Sequence, residues 1–568
     1  MHFAESDVHT VADRQESRQT VPPLALWASR GLVLVALLAQ IFVAWRFREL
    51  TWDDSAITLG FSRTFAYTGR IEPTPGSGIV EGYSTTLWML LMAAVAKVIS
   101  SPVWLLAFAK ISTLILNLIN VVLIRYWFGS WTTETLANLV AGIVGSTLMF
   151  YETINGMETP LIMTLVLVML VLFPKASCAG RFWYIVAGCA LLLMRWEAAW
   201  LLAPFVLAER NRRRAMLPAL CWTLLFLASN LARWLYFGDL LPNTVVAKRH
   251  FPYSAPSLRL AVLNRLLEPA LILYSCKLLL ALLLAYAVYR YFVMKLPVFS
   301  FDRLKQAFHE SWQFRFLTLF LIFSFVLSTA IGSNWGPEFR SFYAAWPFLI
   351  GLLLVPVLPN LAPRTLGWVT VGLCLFTILR MGARIQPLRS EKAPVYMPRI
   401  TVDRVQVAVP ILSELRRLTG RSVLSYAAPD MGAVMLYGDN LHVIDLGLLC
   451  DRVLAHEGFA AVRPYVLQQR QPDVIEVHEI FTETTKLGSY PEFLEQYRPV
   501  YIHGIRFFLN RRILSLIPSE RLVERVFLPN GSPQSEEREA FRRSEAPYPY
   551  SAADNTLDQS FHNYLVLQ

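Results

Sequence analysis

Long unbroken apolar stretches dominate the first two thirds of the chain. Runs of roughly membrane-spanning length begin near Leu24, Val103, Leu136, Leu161, Phe182, Ala198, Ala215, Pro269, Phe314, Ser341 and Thr365. They predict a polytopic α-helical membrane protein with about eleven transmembrane helices. One further apolar stretch, Thr85 to Ile99, would invert everything downstream if it crossed, so it is assigned to a helix lying at the outer membrane surface. From about Gln386 the pattern changes to short β-rich runs, Ser422 to Tyr426, His442 to Leu446, Asp473 to Val477 and Pro499 to Phe508, with helical or turn-rich stretches between them. That alternation predicts an α/β domain. Beyond Pro529 the chain is polar and rich in Ser, Glu, Pro and Arg, which predicts a loosely ordered tail. The expected organisation is an amino-terminal segment 1–23, a membrane domain 24–385 with a first outer loop 46–102, an α/β domain 386–528 and a polar tail 529–568.

The basic run Glu209-Arg210-Asn211-Arg212-Arg213-Arg214 belongs in the cytoplasm by the positive-inside tendency. With that choice the amino terminus is cytoplasmic and the α/β domain extracytoplasmic. The polar start and the absence of a small-residue cleavage site mark the first apolar run as a retained signal anchor. Arg46 and Arg48, just past that run, go against the rule. The composition, 55% hydrophobic and 16% charged over 568 residues, fits a chain solvated largely by lipid. Cys450 stands alone in the last third, so no disulfide staples that domain, and no Cys/His cluster has zinc spacing. The net charge of +11 is scattered over loops without a nucleic-acid recognition motif. Nucleic acid is therefore excluded in favour of the lipid bilayer and phosphate-bearing substrates.

Candidate chemistry gathers at the ends of the apolar runs. Asp53 and Asp54 follow the first of them, where one carboxylate can orient and the other act as base. The same pair would equally serve as a helix amino-terminal cap. Arg195 and Glu197 interrupt two short apolar runs, an arrangement suited to a polar cavity or to a structural ion pair. Lys248, Arg249 and His250 follow a Pro-Asn-Thr turn and could hold a phosphate through charge-assisted bonds or simply meet lipid headgroups. Arg340 is a second phosphate-ligand candidate. Tyr83 and Trp88 could stack on a sugar ring, although interfacial aromatic belts are common.

Together these segments resemble the membrane-integral glycosyltransferases of the C-type fold, most closely the group that includes mycobacterial terminal arabinofuranosyltransferases. The strings that carry the resemblance are Asp53-Asp54 with Arg63, Glu81-Gly82-Tyr83 with Trp88, Gly156-Met157-Glu158-Thr159-Pro160, and Gly238-Asp239-Leu240-Leu241-Pro242-Asn243-Thr244 with Lys248. The chain departs from the pattern at Ala56 and Gly60, where similar proteins tend to carry Tyr and Arg. The resemblance implies a polyprenyl-phosphate sugar donor, arabinofuranose first among the sugars, and a glycan or glycoconjugate hydroxyl as acceptor outside a bacterial cell membrane. It implies an acidic base in the first outer loop, Asp53 or Asp54. Substrate contacts would come from Arg63, Glu81, Tyr83, Trp88, Glu158, Arg195, Glu197, Asp239, Asn243, Thr244, Lys248, His250 and Arg340. No cofactor is required; a divalent ion bridging phosphate and Asp stays open. A lipid-linked sugar transporter or flippase is the alternative, set against the absence of an internal repeat.

Overall fold

The computed structural model describes residues 22–173, 177–250, 258–293, 306, 308–331, 340–385, 402, 406–527 and 552–567. The expected boundary at Gln386 and the segment 1–21 lie outside them. All eleven apolar runs are helical. In chain order the helical body contains α1 (Pro23–Arg46), α2 (Asp53–Thr68), α3 (Thr86–Ala96), α4 (Pro102–Gly129), α5 (Glu134–Ile143), α6 (Phe150–Asn155), α7 (Thr159–Leu172), α8 (Cys178–Met194), α9 (Ala199–Ala208) and α10 (Arg212–Phe237). It continues with α11 (Asn243–Ala247), α12 (Leu258–Ser275), α13 (Lys277–Val288), α14 (Trp312–Ile331), α15 (Trp346–Leu354) and α16 (Pro363–Ile385).

Among the described residues six helices are long and apolar enough to cross a membrane, seven if the pair Pro269–Ser275 and Lys277–Phe292, bent by 74°, counts as one span. The other apolar runs make shorter helices, because a π-helical turn separates α5 from α6 and the polar pair Arg195 and Glu197 separates α8 from α9. With 11 residues, α3 is only about 16 Å long, too short to cross a hydrocarbon core alone.

Buried polar side chains lock these helices in register. Gln40 of α1 donates to the Gly145 carbonyl at 2.5 Å and meets Thr153 of α6. Asn117 of α4 donates to Thr153 Oγ1 at 2.8 Å and accepts from the Tyr343 hydroxyl at 2.7 Å. In a low-dielectric core such a chain is stabilising only when every member is satisfied, so it selects one mutual placement of the helices. Tyr343, on the 3-10 turn Arg340–Ala345, thereby fixes Arg340. Asn120 donates to the Pro160 carbonyl at 2.9 Å and anchors the first turn of α7.

The α/β domain contains α17 (Ala408–Thr419), β1 (Leu424–Ala428), α18 (Gly432–Tyr437), β2 (Leu441–Asp445), α19 (Arg452–Glu457), β3 (Val474–Ile475), β4 (Tyr497–Ile502), β5 (Ile505–Asn510), β6 (Leu522–Val526), α20 (Ala552–Gln559) and β7 (Asn563–Leu567). The sheet order is β2-β1-β3-β5-β4-β7-β6. Strands β2, β1 and β3 are parallel; β3, β5 and β4 pair antiparallel, β7 runs parallel to β4, and β6 closes the edge antiparallel to β7. The single expected run Pro499 to Phe508 is a hairpin, β4 and β5.

Of the expected polar tail, residues 529–551 lie outside the described ones, and the rest differs from expectation. Residues 552–567 add a helix and an interior strand to the sheet. Arg506 explains how a polar helix can be buried there: it donates to Asp554 at 2.6 Å and to Asp558 at 2.9 Å, while the Tyr501 hydroxyl donates to Asp558 at 3.0 Å. Buried charges that are paired and hydrogen-bonded escape most of the cost of burial.

Candidate functional site

Six of the residues singled out by sequence converge where α2, α7, α8, α9 and α11 end or begin. Glu158 stands immediately before α7, and its carboxylate is fully buried. Its Oε1 accepts from Arg195 at 3.0 Å and from Arg340 at 2.8 Å. Arg195, in extended backbone between α8 and the turn before α9, also donates to Glu197 at 2.6 Å. Arg340 reaches Asp54 at 3.2 Å through its other terminal nitrogen, and its Nε lies 3.4 Å from the Thr159 hydroxyl. Charges alternate along the row Asp54, Arg340, Glu158, Arg195, Glu197.

Lys248, just after α11, completes the group. Burial and the Arg195 charge lower its pKa, against the opposing pull of Glu197 and Asp54. A lysine whose charged form is disfavoured in this way gains most from an incoming anion. Of the row, Asp54 alone is more than half exposed, at 55% of its side chain. The site therefore opens beside Asp54, with three cations behind it.

Asp53 and Asp54 do not share a role. Neither side chain caps α2, whose first-turn bond runs from the Ser55 amide to the Trp52 carbonyl. Asp53 is turned the other way and accepts the Gly432 and Ala433 amides of α18 at 3.0 and 3.3 Å. Burial first, and then the nearby Asp430 charge, push its pKa well above the carboxylate range. It caps a helix, but one in the other domain.

Several other expected substrate contacts are spent on the same domain junction. Arg63 binds Asp439 at 2.7 Å and the Leu436 carbonyl at 3.1 Å. Asp239 pairs with Arg452 at 2.9 Å and His456 at 3.2 Å, Asn243 donates to the Leu449 carbonyl at 2.7 Å, and His250 meets the His456 carbonyl at 3.2 Å. Thr244 lies 3.1 Å from the Ser84 hydroxyl. Glu81 forms a separate buried pair with Arg233, with bonds of 2.5 and 3.2 Å. Tyr83 and Trp88 are buried at 2% and 3% exposure, so neither offers a ring face to a sugar. Trp88 instead donates to the Gly156 carbonyl at 3.2 Å and steadies the turn before Glu158.

Gly60 also finds its reason at the junction. A Cβ there would sit 2.8 Å from Met435 Cβ, because α2 packs closely on α18. A long side chain at that position is incompatible with this docking.

Glu152 was not anticipated. It is buried on α6, and its charge acts on Arg340. The acid six residues ahead of Glu158 was the only available signal, and it lies inside an otherwise buried helix. Among the described residues no group of three or more His, Cys, Asp or Glu side chains could hold a metal ion.

No family model matches the chain, and no curated protein does. The similar solved structures are distant in sequence. ArnT from Cupriavidus metallidurans bound to undecaprenyl phosphate is 16% identical with a TM-score of 0.40, over 77% of this chain and 80% of its own. The archaeal oligosaccharyltransferase AglB from Archaeoglobus fulgidus, in complex with an inhibitory peptide and a dolichol-phosphate, is 10% identical with a TM-score of 0.47, over 83% and 72%. The Archaeoglobus fulgidus oligosaccharyltransferase in its apo form is 11% identical with a TM-score of 0.49, over 94% and 85%.

Proposed function

We propose that the chain is a membrane-integral glycosyltransferase of the C type that moves a sugar from a polyprenyl-phosphate donor to a hydroxyl of a glycan or glycoconjugate outside the cell membrane. The observation that carries this reading is the convergence of an exposed carboxylate, Asp54, with Arg340, Arg195 and Lys248 at one end of the helical body. Phosphate is a good leaving group. The protein's task is to place the acceptor and to neutralise charge growing on the departing phosphate.

In the unliganded site Arg340 is partnered by Asp54 and Glu158. A donor phosphate competes with Asp54 for the Arg340 guanidinium and takes Lys248 as a second cation. Asp54 is then released from its ion pair to accept the proton of the acceptor hydroxyl as its oxygen bonds to the sugar's anomeric carbon and the lipid phosphate leaves. Asp53 holds α18 and is a positioning residue. The domain junction it secures, including Asp430 and the end of β2, forms the acceptor side. Arabinofuranose is the first sugar to test, on the strength of the sequence strings alone. The proposed orientation puts the Arg212-Arg213-Arg214 end in the cytoplasm of a bacterial inner membrane.

The test is incubation of the purified full chain with a panel of polyprenyl-phosphate sugars and scoring of donor consumption. Asp54→Asn should lower turnover by about 10²-fold or more, the scale of general-base loss, with expression intact. Asp53→Asn should lower thermal stability while retaining measurable turnover. Turnover by Asp54→Asn equal to wild type removes the base assignment. Absence of turnover with every donor, coupled to their transbilayer movement in vesicles, would favour a flippase, for which the helix pair bent by 74° is a supporting feature.

A further inference from the structure

At the far end of the same helices lies a cavity that the proposed reaction does not use. Helices α7 and α9 begin just after Glu158 and Glu197 and lead away from the site; α8 and α10 start at the distal end. There the last turns of α7 and α9 and the first turns of α8 and α10 enclose a cavity of about 50 Å³. Its aromatic wall is Phe173, Tyr184, Phe205 and Trp222, and its charged rim carries Arg181, Arg214 and Glu209. The wall is rigid: Trp222 donates to the Ile185 carbonyl at 3.1 Å, and its ring lies 5.4 Å from that of Tyr184.

The rim has cation to spare. Glu209 turns its Oε1 back to the Asn211 amide at 2.9 Å, and no ion pair joins it to Arg181 or Arg214 among the described residues. Arg212 and Arg213 stand beside Arg214 in the first turn of α10. Residues 209–211 alone join the end of α9 to the start of α10, so the cavity lies at the turn where the two helices meet, beside the basic first turn of α10. Phe182, Trp183, Met216, Leu217 and Leu220 are exposed around the rim, where acyl chains would lie.

We propose that this recess binds one anionic phospholipid, its phosphate between Arg181 and Arg214 and its chains along the exposed apolar rim. Charge complementarity selects an anionic headgroup over a zwitterionic one. The bound lipid ties the last turns of α7 and α9 to the first turn of α10, and so steadies the helices whose other ends carry Glu158, Arg195 and Glu197.

The test uses the full chain in detergent with added phosphatidylglycerol or phosphatidylcholine, read by native mass spectrometry and by thermal midpoint. Wild type should retain one phosphatidylglycerol and gain several degrees over the phosphatidylcholine sample. The double variant Arg181→Gln with Arg214→Gln should lose both effects, and Arg212→Gln with Arg213→Gln, which removes equal charge outside the cavity, should keep them. Ala215→Trp, which fills the cavity and keeps both arginines, should also lose the retained lipid. Equal loss in the two arginine variants would show general attraction and overturn the site, as would equal responses to the two lipids. A full response to inorganic phosphate alone would reduce it to a free-anion site and overturn the lipid assignment.

Discussion

Replacing Glu158 by Gln tests the charge row at its middle. The Glu158 carboxylate is fully buried and one of its oxygens serves two guanidiniums, Arg195 at 3.0 Å and Arg340 at 2.8 Å. Removing one partner of a buried ion pair costs about 3–5 kcal/mol, because the remaining charge is left in low dielectric. Here the cations keep other partners: Arg195 holds Glu197 at 2.6 Å and Arg340 holds Asp54 at 3.2 Å. The amide oxygen of Gln can also accept one of the two bonds. The expected loss is therefore at the lower end, about 3 kcal/mol, or about 2–3 °C in the unfolding midpoint of the detergent-solubilised 568-residue chain. Arg340 is also drawn further onto Asp54, so donor turnover should fall together with stability. Glu197→Gln removes one bond from a partly exposed group and should cost about 1 kcal/mol. A Glu158→Gln midpoint within a degree of wild type, with turnover unchanged, would show that the row is an ordinary surface pair and would refute the reasoning.

Two further substitutions probe the domain junction and the sheet. Gly432→Ala would place a Cβ against the Asp53 carbonyl oxygen and 2.6 Å from its Oδ1, so the start of α2 and its carboxyl must both draw away from the α18 amides; deuterium uptake at Gly432–Tyr437 should rise by about tenfold or more, since the two bonds together contribute about 2 kcal/mol, and unchanged uptake would remove Asp53 as the clasp. Burial pushes the Glu476 carboxyl, bonded to the Tyr426 hydroxyl, up to about 7. The native state then holds a proton that the unfolded chain gives up near pH 4.3, so stability is full below that pH and falls as pH rises to 7, by about 3 kcal/mol for this group. Glu476→Gln should flatten that fall in thermal midpoints taken between pH 4 and 7.5. A variant with the full wild-type slope would place the pH dependence elsewhere, Asp445 being the next group, also raised to about 7 by burial.

The parts of the fold that were legible in the sequence are those where lipid imposes a rule on composition. Eleven apolar runs could be read because each must be apolar along its length, and all eleven are helical. Their breaks could be read as well: Arg195, Glu197 and Arg340 stand out because an ionisable group at the end of an apolar run needs a partner. What a run length cannot state is whether its helix is straight, and the π-helical turn after α5 depends on Gln40 of α1 taking the Gly145 carbonyl. Strand β7 was hidden for a different reason. Its five residues follow a polar stretch, and the burial of α20 before it depends on Arg506, which belongs to another strand.

The same limit separates the two aspartates. Successive residues on a helix point about 100° apart, so of Asp53 and Asp54 one must face the charge row and the other must turn away. Nothing local decides which. The decision is made by α18, whose Gly432 and Ala433 amides lie against Asp53, and by the space that Gly60 leaves for Met435. Arg63, Asp239, Asn243 and His250 follow the same logic: a polar group on a loop next to a site needs a partner, and its residue type does not distinguish a ligand from a second domain. The α/β domain is thus part of how the site is built, since it takes Asp53 out of the charge row and leaves Asp54 exposed beside Arg340. A helical body stripped of that domain should hold two aspartates competing for one arginine.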